Sequence, residues 1–172
     1  MPIAVRATSI SDVRIGTTPA DKVYLGDVLV WQRIFKLGLI KTNTQTGIGT
    51  SWLNLNGLAE DPALPGWKSV NPAGAAALPD NFPSCTARID AAVYHTGGSS
   101  PLYGQTRVFV NGTVVATGAQ VSSSPGTSTV TWTGTLKGGD AVAWQWRGGG
   151  GLVVVNRPTA QSSGTWLTVT PV

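Results

Sequence analysis

Twelve residues, Arg107 to Gly118 (RVFVNGTVVATG), constrain this chain more than any others. Two alternating apolar runs, Arg107–Val110 and Thr113–Ala116, meet at Asn111-Gly112. Asn and Gly both tolerate the positive φ of a type I′ turn, whose twist matches that of paired strands. The segment is therefore an antiparallel hairpin. A hairpin alone is marginal in water, so the rest of the chain must supply strands to cover it. Asn111-Gly112-Thr113 also fits a glycosylation acceptor. The turn reading takes precedence, because the N-terminus (MPIAVRATSISDV) has no apolar run of signal-peptide length.

The strands are found on both sides. From Cys85 to His95 the residues alternate, with Cys85, Ala87, Ile89, Ala91 and Val93 on one face. Thr86, Arg88, Asp90 and Tyr94 take the other, interrupted by Ala92. Further strands are expected at Ser128–Leu136, Ala141–Arg147, Leu152–Val155 and Thr165–Thr170. Turns at Lys137–Asp140, Gly148–Gly151 and Pro158–Gly164 separate them. With 22 Gly and 11 Pro, long helices are excluded. Charged residues make up 12%, against about 25% in an ordinary domain. Gly, Ser, Thr, Asn and Gln must therefore cover the surface. The fold class is all-β: a C-terminal antiparallel sandwich or jelly roll, residues 36–172, behind a short N-terminal β-meander, residues 1–35.

In that first segment, Val13–Ile15, Val23–Leu25 and Val28–Trp31 read as three strands, with turns at Gly16–Asp21 and Gly26-Asp27. Three such strands are too few to stand alone and need a partner surface. Leu39–Thr42 and Ser51–Leu55 follow as possible strands. Gly57–Pro83, with Pro62, Pro65, Pro72, Pro79 and Pro83, reads as a long surface connection. It has room for one short strand at Gly66–Val70 and one helical turn at Ala75–Ala77.

The chemistry-bearing residues are few. Asp12, Asp21, Asp27, Asp80 and Asp140 adjoin turns, where side-chain-to-backbone bonds explain them. No nucleophile, base and orienter converge in sequence, no Cys/His spacing suits zinc, and Gly148–Gly151 lacks the Lys-Ser/Thr of a phosphate loop. The expectation is no enzyme and no cofactor. Cys85 is a small apolar strand residue and His95 a strand-end residue. The net charge of +4 comes from scattered Lys and Arg, not from a stripe suited to nucleic acid. No apolar run approaches a membrane span, so neither nucleic acid nor membrane insertion is expected.

Seven Trp are the surplus. Trp144 and Trp146 share one strand face with Val142. They form either a sugar-stacking platform or, the favoured reading, core or subunit interface.

The last third, TLKGGDAVAWQW (Thr135–Trp146) and SSGTWLTVTPV (Ser162–Val172), resembles the jelly roll of the tumour-necrosis-factor and complement-globular-head superfamily. The residues that carry the likeness are Leu136, Gly139, Asp140, Val142, Trp144, Ser163, Gly164, Trp166 and Leu167. The closing turn departs from it, with Gly164-Thr165 where an aromatic is usual. That resemblance implies a homotrimer, with Val142, Trp144, Trp146 and Trp166 in its interface or in the core. Ile10–Trp31 is similar to segments of minor tail proteins of actinobacterial, mycobacteriophage-like phages, where I-x-I-G is followed by K-V-Y-L-G and V-W. The matching positions include Val13, Ile15, Gly16, Val23, Tyr24, Leu25 and Trp31. It implies a virion protein made in the host cytoplasm, with a place in the tail favoured over the capsid and a capsid decoration or head-fibre protein as the alternative. Val13, Ile15, Val23, Tyr24, Leu25 and Trp31 would then dock on other virion proteins. A host-surface glycan is a further possible partner. Its candidate contact loops are Thr96–Gly104, with Tyr103, and Arg147 with Gly148, Gly149, Gly150 and Gly151; both also fit plain turns.

Overall fold

Alternation becomes pleated strand throughout the computed structural model, which describes residues 14–15, 18–19, 22–32, 36–47, 51–98, 102–150 and 157–172. No helix occurs among the described residues. The chain divides into two units, Met1–Ile34 and Phe35–Val172.

In the first unit, β1 (Arg14–Ile15) pairs with β2 (Thr18–Pro19), and β3 (Lys22–Leu25) pairs with β4 (Val28–Gln32), both antiparallel. The second hairpin turns at Gly26-Asp27, with Gly26 at φ 62°. Three strands were expected here. The described residues form two hairpins instead, because residues 18–19, inside the expected turn, pair back on β1.

The second unit continues with β5 (Leu37–Lys41), β6 (Gln45–Thr46), β7 (Leu53–Asn54), β8 (Leu58–Glu60), β9 (Ser69–Asn71) and β10 (Ala75–Ala77). Then come β11 (Cys85–Thr96), β12 (Leu102–Val110), β13 (Thr113–Thr117), β14 (Gly126–Leu136), β15 (Ala141–Gly150), β16 (Thr159–Ala160) and β17 (Trp166–Pro171). They form two antiparallel sheets packed as a sandwich. One has the order β13-β12-β15-β10-β9, with β7 also on β15. The other runs β6-β16-β11-β17-β5-β8, with β14 on β11.

The core lies between the sheets. β15 contributes Val142, Trp144 and Trp146; β11 contributes Ala87, Ile89, Ala91 and Val93; β17 contributes Leu167 and Val169. Burying an aromatic or large aliphatic side chain is worth roughly 1.5–3 kcal/mol, so these strands carry much of the stability. The Asn111-Gly112 hairpin forms as expected, with φ of 50° and 80° at its two turn residues. Asn111 also ties the turn to the next strand: its Oδ1 accepts from the Ala141 N–H at 2.9 Å, and its Nδ2 donates to Asp140 Oδ1 at 3.0 Å.

Residues 57–83 correct the sequence reading. They are not a surface connection, for Leu58, Trp67, Ala76, Leu78 and Phe82 are buried in the core. Ala75–Ala77 is strand β10 and not a helical turn, because pairing with β15 on one side and β9 on the other outweighs the helical preference of Ala. The strand expected at Leu152–Val155 lies outside the described residues.

Candidate functional site

On the outward face of the first sheet, four side chains form a checkerboard. Gln105 on β12 faces Arg147 on β15, and Arg107 faces Gln145. Each glutamine is anchored at its nitrogen: Gln105 Nε2 donates to the Gly118 carbonyl at 2.8 Å, and Gln145 Nε2 to Asn54 Oδ1 at 2.7 Å. That leaves each amide oxygen aimed at the arginine opposite. Arg107 donates from Nε at 2.8 Å and from Nη2 at 2.6 Å to Gln145 Oε1. Arg147 donates from Nε at 2.8 Å and also from Nη2 to Gln105 Oε1.

Three aromatic rings complete this face. Trp52, just before β7, carries both guanidinium groups: Arg107 lies 4.2 Å and Arg147 4.7 Å from its ring centre. Arg107 also lies 4.9 Å from the Phe109 ring and Arg147 5.5 Å from the Tyr103 ring. Phe109, Arg107, Trp52, Arg147 and Tyr103 thus make a ladder of alternating rings and cations, an arrangement favoured by the ring quadrupole. All five are half-buried. Burial, and secondarily the charge of Arg147, lowers the Arg107 pKa from its ordinary value.

Five carboxylates of the second unit are committed elsewhere. Glu60 Oε1 accepts from the N–H groups of Gly66 and Trp67, and Asp61 from that of Ala63. Asp80 pairs with Lys68 at 2.8 Å and Asp90 with Arg88 at 2.7 Å. Asp140 Oδ2 accepts from the Lys137 N–H at 2.9 Å.

The second sheet turns a different face outward. Thr131 and Thr133 of β14 and Thr168 and Thr170 of β17 flank Asp90 and Arg88 of β11 in register. Trp166 pairs with Ala92 and with Ile40 and is 40% exposed, which is high for an aromatic on an interior strand.

These faces sort the expected residues. Val142, Trp144 and Trp146 are core, none more than 1% exposed, so the sugar-platform reading of the Trp pair does not hold. Trp166 is the open one. Tyr103 and Arg147 do come together, but on strands and not on loops. Gly148, Gly149 and Gly150 are likewise strand residues of β15, paired with Gly104, Tyr103 and Leu102. For Gly148 and its partner Gly104 the absence of a side chain has a steric cause: a Cβ on Gly148 would collide with the Trp146 indole, and one on Gly104 with the His95 ring. Gly151 lies outside the described residues, as does Val13. Ile15 is on β1, Tyr24 on β3 and Trp31 on β4; Val23 is half-buried and Leu25 76% exposed. Cys85 opens β11, unpaired and half-buried, and burial raises its thiol pKa.

Sequence reasoning missed Trp52, Gln105, Arg107, Phe109 and Gln145. Alternation along β12 places Tyr103, Gln105, Arg107 and Phe109 on one face, which was a usable signal. The contribution of Trp52 depends on the pairing of β7 with β15, which local sequence does not announce.

With strand order and packing in place, the second unit is defined as an antiparallel jelly roll. It is similar to Eiger TNF from S. frugiperda, at a TM-score of 0.53 and 9% identity, over 81% of this chain and 92% of that one. It is also similar to murine APRIL at pH 8.0, at a TM-score of 0.54 and 10% identity, over 81% of this chain and 100% of that one. At such identities the likeness is one of fold: the TNF-like jelly roll. No family model and no curated protein matches the sequence.

Proposed function

We propose that this chain is a non-enzymatic structural component of a tailed-phage virion, a minor tail or tail-tip protein. It assembles as a homotrimer through its jelly roll and docks on other virion proteins through residues 1–35. The observation that carries the reading is Trp166, left 40% exposed on an interior strand of a complete TNF-like jelly roll. A closed three-fold assembly removes such an aromatic from water on every protomer at once. The non-enzymatic part is supported by the carboxylates, five of which hold turns or pair with Lys and Arg. The virion part rests on the N-terminal resemblance.

Light scattering of the whole chain at micromolar concentration tests the assembly. A trimer is expected, with Trp166→Asp giving a monomer that keeps its β-sheet circular dichroism. A strictly monomeric native chain overturns it. A second reading, recognition of a host-surface glycan, is favoured by the arginine–aromatic ladder on the opposite sheet.

A further inference from the structure

The geometry points to an acidic saccharide, a sugar chain bearing carboxylate groups, as the ligand of the face formed by Trp52, Tyr103, Arg107, Phe109 and Arg147. This rests on the binding-module reading above and not on the virion role.

Two cations are held close together there with nothing negative beside them. In the checkerboard the arginines occupy a diagonal, whose Cα atoms in an antiparallel pair are about 7–8 Å apart. Their mutual repulsion is a standing cost. The ladder offsets it with ring quadrupoles and amide oxygens, but no carboxylate reaches either arginine among the described residues. A guanidinium has five N–H donors. Each glutamine takes two of them, the Nε one and one on Nη2. Of the remaining three, one on Nη1 and one on Nη2 point the same way and form the outer edge of the fork, the geometry that receives a carboxylate in bidentate fashion. The glutamines thus fix both arginines with that edge presented.

The class of ligand follows from what else the face offers. β12 and β15 pair along the full register from Leu102↔Gly150 to Val110↔Val142 and are interior strands, flanked by β13 on one side and by β10 and β7 on the other. Strand addition by a peptide needs an open sheet edge, and this face of interior strands is not one. A nucleic acid strand brings a charge every few ångströms and wants a track of cations. This face has two, while Lys68 and Arg88 are paired elsewhere and Lys41 is buried. A saccharide with spaced carboxylates needs only occasional arginines and half-exposed rings for its C–H faces. Tyr103, Trp52 and Phe109 provide such rings.

The test is calorimetric titration of the whole chain with oligogalacturonate, oligohyaluronate and sialyllactose. Methyl-esterified oligogalacturonate serves as the uncharged control, and a single-stranded DNA oligonucleotide of equal charge as the competing class. At least one of the three acidic sugars is expected to bind and to quench Trp fluorescence. Arg107→Gln and Arg147→Gln should each weaken it by about tenfold or more. Lys137→Gln, which removes the same charge from an exposed turn, should leave it unchanged. Thermal melts establish that each variant is folded, and Arg147→Lys, which keeps charge but loses the fork, covers the case of an unstable glutamine variant. The proposal is overturned by any of four results: no binding of the three acidic sugars, equal binding of the esterified sugar, equal or tighter binding of DNA, or affinity unchanged in both arginine variants. Light scattering on the same samples keeps a failure of trimer formation separate from a failure of binding.

Discussion

His95 shows how much one side chain can be hidden by its sequence context. The residue stands one position before the end of β11, and its ring is wholly buried against Trp146, 6.3 Å between centres. Nε2 meets the Ser123 carbonyl at 3.1 Å, whereas Nδ1 has no hydrogen-bond partner among the described residues. Burial lowers its pKa, opposed by the backbone hydrogen bond at Ser123. The unfolded chain takes up this proton near pH 6.5 and the folded chain only at lower pH, so acid favours unfolding across that window. Stability is full above about pH 6.5 and falls as pH drops toward the folded pKa. Thermal melts from pH 7.5 to 5 should record the fall, and His95→Asn should flatten it; a native melting point constant over that range contradicts this account. Lys41 is a second buried titratable group. Its Nζ donates to Asn56 O at 2.6 Å, Asn56 Oδ1 at 3.1 Å and Asn43 Oδ1 at 2.7 Å, while burial brings its pKa down to about 8. Lys41→Met strands those oxygens. It should cost about 1–3 kcal/mol in urea unfolding, and a loss well under that shows that the oxygens find other donors.

At the scale of elements, the strands legible in the sequence were those whose alternation is uninterrupted and whose turns are chemically explicit. β11, β13, β14 and β17 fall within a residue or two of expectation, whereas β12 starts at Leu102 and not at Arg107, taking in residues expected in a loop. β7 and β9 lie within or overlap the short strands expected at Ser51–Leu55 and Gly66–Val70, whereas β8 and β10 were obscured because each is three residues long and is held by pairing with an earlier or later strand, β8 with β5 and β10 with β15, and not by its own composition. The glycines of β15 were obscured for a related reason. A run of Gly reads as a flexible tip, whereas Gly148 is needed as bare backbone beside Trp146 and Pro158. The candidate site was half legible: Tyr103 and Arg147 were identified, but the partners that fix Arg147 lie across the sheet. Gly148→Val should overpack this point and cost about 1–3 kcal/mol. Differential scanning calorimetry checks it, and an unchanged melting point means the close approach of Trp146 to Gly148 is relaxed in solution.

For the molecule as a whole, the division into two units puts the described core in the second and leaves the first for the attachment proposed above. The second unit holds both large sheets, and its core residues all come from within Phe35–Val172. Deleting residues 1–35 should therefore leave its unfolding midpoint within about 0.5 kcal/mol of the full chain. Incorporation into the particle, followed by immunoblot of purified virions, should be lost. Normal incorporation of the shortened chain removes the docking role from this segment, and a collapsed midpoint shows that the segment is part of the fold. β17, inserted between β11 and β5, bears on how the molecule is made. Leu37 pairs with Val169, so β5 leaves the ribosome long before its neighbour exists. The β12–β13 hairpin can close early, yet the sheet around β17 stays split until nearly the whole unit has been synthesised. Non-local pairing of this kind makes for slow folding, in milliseconds to seconds. During that interval the unpaired edges of β5 and β11 are open to the same strand of another nascent copy, and exchange of β17 between copies is the misassembly to which this topology is most prone.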